Sequence, residues 1–472
     1  MLINKLTSTF GDHSNLIPLF TKDVVNSTGM TAFSYDAGGK IEAKDRFIDE
    51  FGTQAIWMGG LPFFKMAFDK SIYKLAKLSP DVDVRLLKDK EQLNAAQKYA
   101  ETLKNTNVAE TLNDVVKHTK KAQGLFLGKF ATATALTLAS FFTLVTVKQH
   151  DTKKEIEKQF WAKKSAQQQF NSNFAQSPAF KAFAMNGTNA PKADKNVSFN
   201  GLGNTLSSFM FDPVKNLFIV DAGITGERLV ASRTKTEFAE TAIKEGSLLF
   251  FLYIAGSYVQ KGIEKLSEKM GKPIGLHAEV LSSSYMKDSI ESGKVNADTA
   301  KVKDLIKAVK TAKENNNTKQ LSEAKKALFE FIYSEKAQEN TVVKAAKHSG
   351  TIKTIIKGNW FDKLTGKAKN THKIDPHQFI SISDLEAIAD DISKLTTEAK
   401  KHKDLSTFLK KCRNMKIGSV AANMGITCLF LGLIVPYSMM KYREKHQNGK
   451  KEFHVQSEIE KQLEQNFKGR MA

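Results

Sequence analysis

Two long uncharged segments most constrain what this chain can fold into. Residues 417–440 carry no charged side chain, and residues 124–147 carry only Lys129, near one end. At about 1.5 Å per helical residue, either segment is long enough to cross the roughly 30 Å hydrocarbon layer of a bilayer. The long stem of Lys129 would let its ammonium group reach the lipid headgroups. The sequence therefore predicts two transmembrane helices, with two core helices of a soluble protein as the alternative.

Two shorter apolar runs leave the number of spans open. Residues 51–64 and 246–260 contain 14 and 15 uncharged residues, which is short for a comfortable crossing. They are interpreted as re-entrant or interfacial segments, as short tilted spans, or as helices packed against the long spans. The count is therefore two or four. The first 30 residues lack the apolar core of a cleavable signal peptide. We expect a multi-pass protein of a plasma or inner membrane.

The order of features along the chain indicates an internal duplication. Residues 50–64 and 237–251 agree at eight of fifteen positions, and the pattern D-A-G-x-x-x-E precedes both, at 36–42 and 221–227. A Lys-rich stretch, a proline and a long apolar segment follow each copy. The repeats are parallel if the short runs cross the membrane and inverted if they do not. Lys and Arg flank both ends of the long segments, so the charge rule leaves the orientation open.

The duplication divides the chain into four parts. An N-terminal polar segment covers 1–30, the first repeat unit 31–160, a polar linker 161–209, and the second repeat unit 210–472. The second unit carries an insertion at about 285–375, whose apolar spacing predicts a helical hairpin. A further amphipathic helix is predicted after Ser383, which starts a capping-box pattern.

The predicted fold class is a mainly all-α integral membrane protein. It contains internally duplicated helical units, two long transmembrane helices and two short apolar helices. Short β-like tails are expected at 82–87 and 274–281, where apolar residues follow a proline.

The candidate site residues are six acids that recur in the two units. We expect them to meet near the membrane surface and to form a structural salt-bridge layer. A cation site is the alternative, since carboxylates at a membrane surface can also bind ions. The six are Asp36, Glu42, Glu50, Asp221, Glu227 and Glu237.

The D-A-G element has a second interpretation. The segment around Asp221 resembles the Asp-x-Gly-x-Thr phosphate turn of actin-like kinases, which would imply nucleotide binding. The first copy lacks the threonine, and no second phosphate motif follows. We therefore interpret both copies as structural turns, in which Gly38 and Gly223 take a positive φ.

Small residues at four-residue spacing suggest close helix packing. Such faces let helices approach within the chain or between copies, although small residues also simply tolerate lipid. The residues are Ala131, Ala135 and Ala139 in one long segment, and Ala421 and Gly425 in the other.

Little in the sequence points to catalysis or cofactor binding. The only two cysteines, Cys412 and Cys428, exclude a disulfide framework and a multi-cysteine metal site. His372, Asp375 and His377 lack an evident further ligand and are interpreted as a solvated turn. No known nucleotide, hydrolase or metalloprotease motif occurs. We expect no metal, no cofactor and no enzymatic activity.

The positive charge points to lipid as the partner. The chain has 71 Lys and Arg against 50 Asp and Glu, a net charge of +21. These cations are spread along helices without interleaved aromatic residues, which argues against nucleic acid. Basic residues near span ends are typical of binding to anionic lipid. The expected function is a scaffold or assembly component of the cell envelope, with a protein partner at 285–375 and self-association as options. A small-solute or ion transporter or channel subunit is the alternative.

Overall fold

A computed structural model describes residues 2–11, 16–103, 106–171, 213–357, 369–446 and 453–471. The described chain is almost entirely helical, which confirms the mainly all-α prediction. Its first half contains α1 (Leu2–Gly11), α2 (Leu16–Ala55), a π-helical turn (Ile56–Gly60), α3 (Leu61–Phe68), a second π-helical turn (Asp69–Tyr73), α4 (Lys74–Ala76), a 3-10 turn (Leu86–Lys88), α5 (Lys90–Thr102), α6 (Thr106–Lys117) and α7 (Thr119–Asn171).

The second half continues in the same way. It contains α8 (Pro213–Val230), α9 (Lys235–Leu249), a π-helical turn (Phe250–Ala255), α10 (Gly256–Lys269), α11 (Ala278–Leu281), α12 (Ser284–Glu291), α13 (Lys294–Glu314), α14 (Thr318–Ile332), α15 (Glu335–Gln338), α16 (Thr341–His348), β1 (Thr354–Lys357), β2 (Lys369–Ile374), α17 (Ile382–Ala399), α18 (Leu405–Leu429), a π-helical turn (Phe430–Ile434), α19 (Val435–His446) and α20 (His454–Met471).

The chain forms two compact units that do not coincide with the predicted repeats. Unit 1 comprises Met1–Asp23, Trp57–Thr137 and Leu248–Leu431. Unit 2 comprises Val24–Ile56, Leu138–Ser247 and Gly432–Ala472. Each unit draws segments from both predicted repeats, and the duplication stays a prediction.

Unit 1 is built around one large helical core. The apolar spacing of the insertion forms the predicted hairpin, with α13 and α14 joined by a short turn at Asn315–Asn317. Their buried faces include Ile306 and Phe329, which are almost fully excluded from solvent. Helix α17 packs against α13 through the predicted apolar face. Its N-cap is Ser381 and not Ser383, because the Ser381 hydroxyl accepts a bond from the Asp384 amide.

The β-like tails are not strands. Residues 82–87 form turns and a 3-10 segment, and 274–281 run as irregular chain into α11. Their apolar side chains, such as Leu86 and Ile274, are buried against helices of the unit 1 core instead of in a sheet. The only sheet in the described part of the chain is the antiparallel pair β1–β2, in the insertion, with Thr354 opposite Ile374.

All four apolar runs are helical. The stretches Thr119–Ser165 and Leu405–His446 are each long and apolar enough to cross a membrane. The short run 51–64 covers the end of α2, a π-helical turn and part of α3, and 246–260 covers the end of α9, a π-helical turn and the start of α10. The predicted linker begins as a continuation of α7 to Asn171, and its residues 172–209 lie outside the described chain.

Candidate functional site

Unit 2 holds a dense set of buried ion pairs, which we call the buried charge network. On α2 its members follow the spacing i, i+3, i+4, i+7 and i+8, which places them on one helix face. The facing helices α7, α8, α9 and α19, together with the turn between α8 and α9, supply the rest. The acids are Glu42, Asp45, Asp49, Glu50, Glu237, Glu240 and Glu245, and the cations are Arg46, Lys148, Arg228, Arg233, Lys244 and Arg443.

Arg443 lies between two carboxylates and has no exposed surface. Its Nε donates to Glu240 Oε1 at 2.7 Å, and its Nη2 donates to Glu42 Oε1 at 2.7 Å. Both carboxylates are 1% exposed. Each makes two parallel bonds to the planar guanidinium, an arrangement that a lysine could not reproduce.

A second group of pairs surrounds Lys244. Its Nζ lies 2.6 Å from Glu50, 2.8 Å from Glu245 and 3.6 Å from Asp49. Arg228 also pairs with Glu245 and lies 3.4 Å from Asp49. Burial alone would raise the pKa of Asp49, but the neighbouring cations, Arg228 first, outweigh it and hold that pKa well below its usual range.

A third group forms the edge of the network. Arg233 Nη2 lies 2.6 Å from Glu237 and 3.2 Å from Asp45, and Lys148 lies 3.8 Å from Asp45. Burial acts to raise the pKa of Asp45, yet Lys148 and Arg233 lower it overall. Nearly all members of the network are therefore matched with opposite charge, as expected for buried ions.

The space inside the network is small. A cavity of about 20 Å³ lies among Asp49, Lys148, Arg228 and Lys244. That volume suits a single water molecule and no larger solute. The arrangement can hold helix ends together, and it offers no room for a substrate.

The six predicted acids are distributed unevenly. Glu42, Glu50 and Glu237 belong to the network, whereas Asp36 is exposed and Asp221 is half-buried on α8. Glu227 is also half-buried, and burial raises its pKa to about 7. Acids at corresponding positions of the two predicted repeats do not have corresponding partners. Glu50 pairs with Lys244, whereas its counterpart Glu237 pairs with Arg233.

Several network residues were missed by the sequence analysis. It did not include Asp45, Asp49, Glu240 or Glu245, nor any of the cations. Two signals were present in the sequence. The α2 acids and Arg46 recur at helical spacing, and Lys148 and Arg443 follow closely after the two long apolar segments.

The D-A-G elements are helical, so neither forms the predicted turn. Both lie inside helices, α2 and α8, and neither Gly38 nor Gly223 has a positive φ. Gly39 does, at +73°, and it interrupts α2. Its counterpart in the second copy is Ile224, which explains why α8 continues without the same break.

The predicted packing faces are not covered by the described chain. Ala131, Ala135, Ala139, Ala421 and Gly425 are all exposed, and the buried face of α7 includes Ala133, Thr137 and Phe141 instead. A close backbone approach in unit 2 lies elsewhere, between Gly29 and Gly432. A Cβ on Gly29 would overlap the carbonyl oxygen of Gly432.

The candidate metal ligands and the cysteines have ordinary surroundings. His377 contacts Asp375 at 3.2 Å and the Val108 carbonyl at 3.0 Å, while His372 is exposed. Within the described ranges, no group of three His, Cys, Asp or Glu side chains is placed to hold a metal ion. Cys412 is buried, and both cysteines are free.

Comparison with known proteins gives no relative. No family model, no curated protein and no solved structure matches the chain.

Proposed function

We propose that this chain is an integral membrane protein. The observation that carries the proposal is the exposure of its apolar helices. Only 22% of the most apolar window of Thr119–Ser165 is buried, and 33% of that of Leu405–His446. A core helix of a soluble protein would be mostly covered, whereas here Phe142 and Leu433 are more than half exposed. Lipid is the environment that such surfaces fit.

Contacts within each unit bear on the number of crossings. In unit 1, residues 73–122 and 274–412 share one core, and Asn4 donates a hydrogen bond to Ser282. These segments therefore share one side of the bilayer. In unit 2, the buried charge network joins residues 42–50, 148, 228–245 and 443, which share a side for the same reason.

If the apolar segment 124–147 of α7 crosses the membrane, residues 122 and 148, which flank it, lie on different sides. Each chain segment that leads from the residues of the unit 1 core to those of the buried charge network, or back, then also crosses the membrane. The proposal is at least five crossings: through α2 before Glu42, and through 51–64, 124–147, 246–260 and 417–440. The first of these was not predicted, because Lys22, Asp23 and Asn26 interrupt its apolar character.

The role we propose is that of a non-enzymatic scaffold or assembly component of a plasma or inner membrane. The unit 1 helices would form a basic domain at the membrane surface, beside anionic lipid. A groove of about 540 Å³ next to the insertion supports a protein partner there. It is lined by Tyr99 and Tyr333, whose ring centroids lie 5.1 Å apart with the rings tilted by 34°, and by Lys98 and Glu330. Aromatic residues with a charged rim are typical of binding surfaces.

A small-solute or ion transporter is the second candidate. It is favoured by buried polar side chains between α10 and α18, which include Gln260, Ser419 and Asn423. Polar residues inside a membrane commonly mark transport pathways. The tightly filled buried charge network speaks against a solute path through that part of the protein.

Labelling of single cysteines would test the membrane proposal. The native Cys412 and Cys428 are first replaced by Ser. A single Cys then replaces one exposed lysine at a time, either next to the buried charge network (Lys40, Lys153 or Lys235) or in unit 1 (Lys90 or Lys301). In sealed vesicles, an impermeant thiol reagent should label the first three from one side and the other two from the opposite side. Labelling of all five from one side would contradict the five crossings.

A flux measurement separates the two candidate roles. The purified chain in vesicles should not move ions or small solutes if it is a scaffold. Flux that depends on Gln260 or Asn423 would favour the transporter, and a matched variant at the exposed Gly425 serves as the control.

A further inference from the structure

Unit 1 contains a buried lysine without an acidic partner. Lys22, on α2, is 5% exposed. Its ammonium nitrogen lies 3.1 Å from the point where a Cβ would sit on Gly256, so the lysine occupies space that only a glycine leaves open. Among the residues that the structure describes, no carboxylate forms an ion pair with Lys22. The adjacent Asp23 accepts a bond from Trp57 Nε1 at 3.2 Å.

An unpartnered amide oxygen lies beside this lysine. Asn423 Oδ1 on α18 lies 3.7 Å from the same Cβ position on Gly256. It is buried and has no hydrogen-bond partner. A buried ammonium without a carboxylate favours its uncharged form, and a carbonyl oxygen compensates only part of the lost hydration.

A line of bonded polar side chains begins at Ser419, one helical turn before Asn423 on α18, and runs towards the unit 1 core. Ser419 Oγ donates to Gln260 Oε1 at 3.3 Å, and Gln260 Nε2 donates to Glu264 Oε1 at 2.8 Å. Lys416 Nζ donates to the same Glu264 oxygen at 3.0 Å. Gly256, Gln260 and Glu264 recur every four residues on α10, so the line follows one helix face for about 12 Å. We call the set Lys22, Asn423, Ser419, Gln260, Glu264 and Lys416 the polar ladder.

The outer end of the polar ladder meets an unusual carboxyl group. The Asp391 side chain of α17 fills the space that a Cβ would need on Gly275. Burial raises its pKa to about 6, Glu264 and Glu268 add to the rise, and Lys394 and Lys416 oppose it. The Asp391 carboxyl group, which can exchange a proton at about pH 6, therefore lies beside Glu264 and Lys416, at the outer end of the polar ladder.

We propose that Lys22 is a proton-binding site and that protons reach it along the polar ladder from the Asp391 end. The lone pair of the neutral Nζ takes up a proton that enters from solvent at the Asp391 end, and the ammonium releases it to solvent by the same route, so the buried charge changes by one. A proton needs no cavity, which agrees with the close packing of Nζ against Gly256. Cys428 on α18 is the titratable group that faces Lys22, Asp23 is its neighbour on α2, and α10 contacts it at Gly256. The proposal goes beyond a scaffold role and does not require solute flux.

Direct observation of the lysine tests this proposal. In the purified full chain with ¹³C-labelled lysine, the Cε resonance that disappears in Lys22→Met belongs to Lys22. If that variant does not fold, Lys22→Arg supplies the assignment. We expect this resonance to titrate at a lower pH than those of the exposed lysines, while loss of Lys301, an exposed control, leaves it unchanged.

Two results would overturn the proton site. In one, the resonance stays that of an ammonium up to the pH at which exposed lysines titrate. In the other, it responds to chloride or acetate and not to pH, which would make Lys22 an anion site.

The route is tested separately, through the rate at which Lys22 exchanges its proton. Gln260→Leu removes the side chain that bonds to both Ser419 and Glu264, so it should slow the exchange seen in the line width of the Lys22 resonance, and Gly425→Ala, at an exposed position of α18, should not. An unchanged exchange rate in Gln260→Leu would overturn the ladder as the path.

Discussion

At the residue scale, the buried charge network behaves as a set of mutually dependent ions. A paired buried ion is tolerated because its partner replaces the lost hydration, and removal of one partner leaves the other exposed to the full penalty. Arg443 is the most dependent case, since it serves two carboxylates and has no contact with solvent.

Arg443→Met should destabilise the protein by about 3–5 kcal/mol, because Glu42 and Glu240 would stay buried after losing the cation that bonds to both. Thermal unfolding in detergent measures the loss. Lys445→Met, at an exposed position on the same helix, is the control and should change little. Adding Glu42→Gln and Glu240→Gln to Arg443→Met should recover part of the loss. Equal stability of the Arg443 and Lys445 variants would contradict the importance of these pairs.

The raised pKa of Glu227 predicts that the stability of the folded protein depends on pH. Its folded pKa of about 7 lies above the usual value of about 4.3 for an unfolded chain. The folded protein therefore keeps a proton that the unfolded chain releases between these values. Its contribution to the free energy of unfolding falls as the pH rises through this window, and the full cost is present above pH 7.

Glu227→Gln removes this cost, because the amide carries no charge at any of these pH values. The variant should gain more stability over the wild type at about pH 8 than at about pH 5. Melting temperatures at both pH values give the comparison, with Asp36→Asn at an exposed position as the control. The same difference at both pH values would show that Glu227 does not titrate in this window.

At the element scale, a close contact between backbones decides where helices meet in unit 2. Gly29 on α2 faces the backbone of Gly432 in a π-helical turn. A Cβ on Gly29 would lie 2.1 Å from the Gly432 carbonyl oxygen, so only glycine fits at this position. The small residues that the spacing singled out on the two long helices are exposed, and a Cβ on Gly425 would meet nothing within 4 Å. Spacing in the sequence could not show which small residues face a neighbour.

Gly29→Ala should therefore lower stability by about 1–3 kcal/mol, because the added methyl group would overlap a carbonyl that cannot move alone. Gly425→Ala is the matched control. It adds the same methyl group at a helical position with open space around it and should cost nothing. The difference between the two melting temperatures measures the contact. A neutral Gly29→Ala would show that the helices separate easily.

At the scale of the whole molecule, the proposed crossings connect the two sets of contacts. The unit 1 core and the unit 2 network each gather segments that are far apart in sequence. The proposal of five crossings counts the short runs 51–64 and 246–260 as spans, which their length alone leaves undecided.

The sequence by itself determined the helical class, the two long apolar helices and the hairpin of the insertion. These features depend on local periodicity and on the length of uncharged runs, which neighbours along the chain are sufficient to define. Only the tertiary structure decided that 82–87 and 274–281 pack against helices instead of pairing as strands, since strand formation needs a partner that the sequence does not specify.

The candidate site divides in the same way. Glu42 and Glu50 could be singled out from the sequence, because they recur in the two units. Their partners Arg443 and Lys244 lie 401 and 194 residues further along the chain. No local pattern encodes such a pairing, so folding alone selects which lysine or arginine, among 71, is buried beside each acid.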